Sequence, residues 1–313
     1  MKKIVILIAY FGHWPEWFPF YLESCRWNPT IDWLFFTDCP IPENAPTNLR
    51  FIQINYVDYQ KLVSNRLGIT FTDQSPYKLC DLKPAYGYIH EEFIADYDYF
   101  GFGDIDVVYG DIRAFYTDKI LRYNTLSTLN DMVSGHIFLM KNEERWIRAF
   151  QKIPNWQQLL LAPEYRSMDE YWFTKVLRGY VRFPSVLSNL WGIVDTYKRN
   201  HLFQERYATP LVERPWMDGT YNYPDKWYWY QGKLTNEFGG EFLYLHFMNW
   251  KSSKYLPKRF GERAAWEILS NLIDPTLTDI SKGWCISSDG FIPLNDDFRD
   301  SQFRLLLNAK NQS

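Results

Sequence analysis

The chain has 313 residues, a length that fits one large domain or two modest ones. Lys and Arg number 34 against 37 Asp and Glu, and a net charge of −3 excludes a protein whose affinity comes from a basic face on nucleic-acid phosphates. Hydrophobic residues at 46% and charged ones at 23% exclude a disordered tail, while 14 Trp, 23 Tyr and 23 Phe bring the aromatic share to an unusual 19%.

The chain opens with Met1-Lys2-Lys3 and the apolar run Ile4–Phe11, which looks briefly like a secretory signal. The run is short, no small-residue cleavage site follows, and His13-Trp14-Pro15-Glu16-Trp17 comes next. A buried first strand of a parallel sheet is the better reading. Gly12 breaks it, a helix is expected over Trp17–Cys25, and Asp32–Asp38 reads as a second buried strand. Pro40, Pro42 and Pro46 mark a loop before a third strand at Leu49–Ile54. This alternation indicates an α/β fold. Residues 76–95 read as helix, kinked or restarted at Pro84, and Tyr97–Phe102 as a strand. Val133–Met140 is a further strand, and Asp169–Leu177 has helical spacing. From 180 to 240 prolines break the pattern and Trp and Tyr crowd it. Phe242–Phe247 is a late strand, 259–273 an amphipathic helix, and the tail beyond 275 is polar and poorly periodic. No stretch approaches the ~20 apolar residues that span a bilayer. Cys25, Cys39, Cys80 and Cys285 form no CxxC pair, so neither a zinc motif nor a disulfide framework is expected, and reduced thiols in a cytoplasmic compartment are the simplest account.

The strongest local signal is Tyr99-Phe-Gly-Phe-Gly-Asp104-Ile-Asp106. An apolar strand ends in two carboxylates at i and i+2, which an extended backbone points to one side. Two hard oxygen ligands with open positions suit Mg²⁺ or Mn²⁺. The competing reading is a solvated turn with two incidental aspartates. Upstream, Lys78, Asp81 and Lys83 can share a helical face, for which a surface ion pair is the plain alternative. Asp169 and Glu170 can be carboxylates at a helix start, favoured there by the dipole. Trp216, Trp227, Tyr228, Trp229 and Tyr230 read as partly core, with some rings left to form a platform for sugar C–H faces.

The stretch from Lys78 to Gly110 resembles metal-dependent GT-A glycosyltransferases of the family 32 and family 8 type. In these, Lys-x-x-Asp-x-x-Arg, a helix and an apolar strand ending in Asp-x-Asp follow in order. Lys83 stands one position before the family's arginine. The segment Tyr77-Lys78-Leu-Cys80-Asp81-Leu-Lys83-Pro84 is also similar to a bacterial group of lipopolysaccharide-biosynthesis glycosyltransferases. The resemblance implies a GT-A, Rossmann-like α/β domain with a mixed sheet over 1–254. Its nucleotide-binding part would cover about 1–115 and its donor-sugar and acceptor part about 116–254, with a helical extension at 255–313. It implies that Ala9 and Tyr10 hold base and ribose, that Lys78, Asp81, Lys83 and Asp104 belong to the donor site, and that Ser134 and Gly135 lie along the donor sugar. Asp169 and Glu170 would face the transferred sugar, Asp169 on its hydroxyls and Glu170 nearer the reacting carbon. His246 would join Asp104 and Asp106 on the metal, and Lys251 or Lys254 would contact the diphosphate.

The implied cofactor is Mn²⁺ or Mg²⁺, the donor a UDP-sugar first and a GDP-sugar second, the acceptor a glycan or lipid-linked glycan, and the outcome retention. No nucleic acid is involved, and a cytoplasmic protein at the inner membrane face, serving polysaccharide synthesis, is the implied setting. A nucleotidyltransferase would announce itself with a Gly-rich basic loop after strand one, and Phe11-Gly12-His13-Trp14 is no such loop. A non-catalytic carbohydrate-binding protein would explain the rings but not Asp104, Asp106 and His246 in that order.

Overall fold

A computed structural model describes residues 1–72, 74–179 and 200–294. Its strands in chain order begin with β1 (Ile4–Ala9), β2 (Ile31–Thr37), β3 (Leu49–Gln53), β4 (Tyr99–Gly103), β5 (Val107–Tyr109) and β6 (Thr125–Ser127). They continue with β7 (Ile137–Lys141), β8 (His201–Phe203), β9 (Trp227–Tyr230), β10 (Lys233–Asn236), β11 (Tyr244–His246), β12 (Trp284–Ser287) and β13 (Gly290–Pro293). The chain divides into two units: Met1–Trp14 with Pro29–Ile105 and Tyr116–Arg206, and Pro15–Asn28 with Asp106–Phe115 and Tyr207–Ser313.

The first unit is built on a seven-stranded mixed sheet in the order β3-β2-β1-β4-β7-β6-β8. Strands β1 to β4 run parallel, and β7 pairs antiparallel with β4. The continuous apolar runs of β1 and β2 bury nearly every residue, as strands covered on both faces must. Val5, Leu7, Phe36, Phe100, Phe102 and Phe138 anchor this unit's core. A helix the periodicity did not announce, Tyr56–Leu67, starts on Asn55, whose side chain accepts from the Asp58 amide, and stops at Gly68 in the left-handed region. It buries Tyr59, Gln60, Val63 and Leu67. The expected helix over 76–95 is instead a chain of short turns restarting at Pro84, which lacks the amide a continuous helix needs.

The strand expected at Val133–Met140 begins only at Ile137. The buried Ser134 hydroxyl donates to the Ile137 carbonyl and accepts from the Thr128 amide, closing a turn where extended backbone was expected. In the sheet order, neighbours run from β1 outward to β2 on one side and to β4 on the other. The carboxyl ends of β1 and β4 therefore flank the switch point where open α/β sheets bind their ligands.

The second unit holds the helix Phe18–Arg26, the pair β11-β5 and the antiparallel sheet β10-β9-β12-β13. Much of the aromatic content is spent here. Along β9, Trp227 and Trp229 are buried while Tyr228 and Tyr230 are half-exposed, the two-residue alternation of a sheet with one covered face. Trp229 stacks on Trp284 at 4.0 Å, and Phe20 on Phe291 at 4.1 Å. With Trp216 also buried, the tryptophans of the 216–230 stretch are core.

Two expectations fail in this unit. The tail beyond 275 contains the β12–β13 hairpin, whose strands are stabilised by aromatic partners distant in sequence. Residues 259–273 form two short 3₁₀ turns, not an amphipathic helix. Gly261, at φ +122°, ends the first turn, and Glu267 accepts from the Ser253 amide and hydroxyl, tying the second to another segment. Residues 180–199 of the aromatic stretch and 295–313 of the tail lie outside the described residues. No helix among the described residues is long and apolar enough to cross a membrane.

Candidate functional site

In the first unit, β4 delivers Asp104 one residue beyond its end, and the Asp104 amide donates to the His136 carbonyl at 3.1 Å. Lys83, brought up by the turns that restart at Pro84, donates to Asp104 Oδ1 at 2.6 Å and to the Gly135 carbonyl at 3.0 Å. Its Nζ also lies 3.7 Å from Asp169 Oδ2. Burial works against the Lys83 charge, but Asp104 foremost and Asp169 more than offset it, so the ammonium is held well above its usual range.

Asp169 and Glu170 sit in a π-turn, Met168–Trp172, entered through Ser167 at φ +54°. Asp169 is buried and accepts from the Tyr165 hydroxyl at 2.8 Å. Burial first, and then the neighbouring Glu170 charge, push its carboxyl up to about 7 against the pull of Lys83. Glu170 Oε1 accepts from the Gly135 amide at 3.3 Å. A Cβ on Gly135 would stand 2.9 Å from Asp169 Oδ2 and 3.1 Å from Glu170 Oε1. Only glycine lets both carboxylates approach the backbone this closely. Four expected site residues, Lys83, Asp104, Asp169 and Glu170, thus gather on Gly135.

Tyr165 completes the cluster and was not foreseen. It lies four residues before Asp169 but across a left-handed residue, so no helical spacing points to it. Ala9 closes β1, and Tyr10 stacks its ring on Trp14 at 5.3 Å with its hydroxyl on the His13 carbonyl. Nearby Gly12, at φ +110°, donates its amide to Asp38.

Three further residues expected at the donor site make their recorded contacts within the protein. Ser134 is fully buried and spends its hydroxyl on the turn before β7. Lys78 and Asp81 pair at 2.8 Å with no exposed side-chain surface. Lys78 donates to the carbonyls of Leu159 and Glu164, each at 2.7 Å, while its ammonium pairs with Asp81. Asp81 accepts in turn from the amides of Arg166 and Met168. Deleting one partner of such a pair costs about 3–5 kcal/mol, because the other charge is left buried and uncompensated.

In the second unit, the register of β11 on β5 sets His246 opposite Val107, and the Phe247 amide donates to the Asp106 carbonyl. This backbone pairing brings His246 Nε2 to 3.5 Å from Asp106 Oδ1. Lys251, on the helical turn Met248–Lys251, donates to Asp106 Oδ2. Burial alone would raise the Asp106 carboxyl. The Lys251 and His246 charges overcome it and hold the group well below the usual carboxylate range. Lys254 instead lies 4.9 Å from the centre of the Tyr255 ring.

Among solved structures, the chain is similar to the apo form of mouse xyloside xylosyltransferase 1. The match covers 79% of this chain and 97% of that chain, at 9% sequence identity and a TM-score of 0.33. No curated protein matches the sequence. A family model matches residues 6–273, and the chain belongs to that family of unknown function, DUF6625.

Proposed function

We propose that the protein is a glycosyltransferase of the GT-A type, moving a sugar from a nucleotide diphosphate sugar to a glycan or lipid-linked glycan. The observation that carries this reading is the gathering of Lys83, Asp104, Asp169 and Glu170 on Gly135, beside the carboxyl end of β4. Residues spread over almost 90 positions converge where open α/β sheets bind ligands. A buried Asp169 with the half-buried Asp104 and Glu170 beside it, opposed by a single lysine, is a costly arrangement that a merely structural corner does not need.

Asp104, Asp106 and His246 would hold a divalent cation. Two carboxylates and one imidazole form a donor set that suits Mn²⁺ or Mg²⁺, and Asp104 and Asp106 are tethered two residues apart. Bound there, the cation supplies Lewis-acid stabilisation of the charge that grows on the departing diphosphate. Lys251 adds fixed positive charge to the same end. Asp169 binds donor hydroxyls, and Glu170 faces the carbon that becomes cationic, an arrangement suited to retention. Lys83 holds Asp104 and Asp169 in place and keeps part of their charge compensated before the donor enters. Tyr10 and Ala9, at the end of β1, receive base and ribose. A UDP-sugar is the first candidate donor and a GDP-sugar the second, with the acceptor presented at the inner face of a membrane.

Incubating the protein with a panel of UDP- and GDP-sugars, with and without Mn²⁺, tests this. Metal-dependent release of sugar and nucleoside diphosphate from at least one donor is expected. A protein that binds sugars but neither binds nor cleaves any nucleotide sugar would sink the reading in favour of a carbohydrate-binding protein.

A further inference from the structure

We propose that Lys78 and Asp81 are positioning residues, a buried clamp that orients the segment ending in Asp169 and Glu170. The proposal rests on the reading that this carboxylate pair serves the transferred sugar. Between Ala162 and Ser167 the chain has no regular secondary structure, so its backbone polar groups need partners other than a helix or sheet ladder. The ion pair provides them. Lys78 donates to the carbonyls of Leu159 and Glu164, and Asp81 accepts from the amides of Arg166 and Met168, each at 2.8 Å.

The last two bonds flank Ser167. That residue stands at φ +54°, a conformation that side-chain-bearing residues seldom adopt and that surroundings must enforce. With one carboxylate oxygen on the amide before it and the other on the amide after it, both neighbouring peptides are fixed. The turn that follows then delivers Asp169 to the Tyr165 hydroxyl and Glu170 to the Gly135 amide.

Stability alone does not account for the pair. A buried ion pair can often be replaced by well-packed apolar residues at no loss. Apolar residues, however, cannot hold the Glu164 carbonyl and the Arg166 amide of the irregular segment together with the Leu159 carbonyl and the Met168 amide of the turns that bound it. The charges are needed because the segment must take one shape, and that shape aims two carboxylates.

Asp81→Asn keeps the side-chain volume and one acceptor oxygen, so one of the two amides loses its partner. Lys78→Met keeps the length and removes the donors. In the full-length chain, amide exchange over 162–170 is expected to accelerate in both variants at least tenfold more than in β1 and β4. With UDP-glucose or GDP-mannose and Mn²⁺, whichever the wild type cleaves, kcat should fall about tenfold or more while KM stays within about twofold. Unchanged exchange together with a raised KM would overturn the clamp and make these residues donor contacts. A lowered thermal midpoint with unchanged kcat would overturn it in favour of a purely structural role. A wild-type chain that neither binds nor cleaves any sugar of the UDP- and GDP-sugar panel would overturn the transferase reading, and with it the positioning role. Retained wild-type activity with unchanged exchange would overturn positioning alone.

Discussion

Around Asp104 in the first unit, one buried lysine is shared between Asp104 and Asp169, and Glu170 adds a third carboxylate beside Gly135. Around Asp106 in the second unit, a single carboxylate is served by both Lys251 and His246. One residue separates the two aspartates, yet their surroundings carry opposite surpluses of charge. The consequence is visible in the protons. Burial and the Glu170 charge lift Asp169 to about 7, whereas Lys251 and His246 hold the equally buried Asp106 ionised far into acid. The first region is short of positive charge and the second is already compensated.

The hardest blow to this comparison falls on Asp106. Asp106→Ala removes the one carboxylate of the second region, and Mn²⁺-dependent affinity for UDP or GDP should fall at least about 100-fold by calorimetry, with circular dichroism unchanged. Asp106→Asn keeps the shape and removes the charge that holds the cation, so it should lose nearly as much. Undiminished affinity in both variants would end the metal assignment.

In the first region, Glu170→Gln should lower turnover by a factor on the order of 10², the scale for losing one electrostatic partner of a transition state, with KM little changed. Near-normal rates in both Glu170→Gln and Asp169→Asn would mean that this pair is a feature of the turn and that the reacting group lies elsewhere.

Lys251 and Lys254 sharpen the second region, because Lys251 donates to Asp106 and Lys254 lies over the Tyr255 ring. Lys251→Ala should lower kcat about tenfold, since leaving-group charge grows toward the transition state, and Lys254→Ala should change it less than twofold. The reverse ranking would move the diphosphate contact to Lys254.

The smallest effect is one of stability against pH. The folded Asp169 carboxyl titrates near 7 and the unfolded one near 3.8. Between those values the native state holds a proton that the unfolded state has released, so this group's contribution is present below the unfolded value and lost as pH rises through about 7. Glu170, Asp104, Lys83 and the Tyr165 hydroxyl are the groups that face it. Wild type should therefore lose stability between pH 5 and pH 8 relative to Asp169→Asn, by an amount on the order of 1 kcal/mol or more. Parallel denaturant midpoints for the two proteins across that range would contradict the buried, proton-holding state.

How much of this was legible beforehand depends on the range of the interaction. The strands β1 and β2 were readable because short, largely apolar runs bounded by Gly12 and by Pro40 and Pro42 fit covered strands. The pair Asp104 and Asp106 was readable because it follows such a run. The helix Phe18–Arg26 followed from local spacing in the same way. The helix Tyr56–Leu67 was missed although its signals are local: Asn55 as cap, Asp58 in the first turn and Gly68 as stop. The hairpin β12–β13 was missed for a different reason. Its strands are four residues each, and Trp284 finds its stacking partner in Trp229, more than fifty residues earlier.

By itself the sequence determined the α/β alternation, the buried first strands, the slightly acidic charge balance, and the order in which the acidic, histidine and lysine residues appear. Only the tertiary structure decided what the charged residues face. Lys78 and Lys83 are five residues apart on turns of one segment, and periodicity treats them alike. One is closed inside the protein, donating to two backbone carbonyls and paired with Asp81. The other sits between Asp104, Asp169 and the Gly135 carbonyl. The difference lies in partners 21 to 86 residues away, and a charge acquires its role from the dielectric and the counter-charges around it, which no local pattern records.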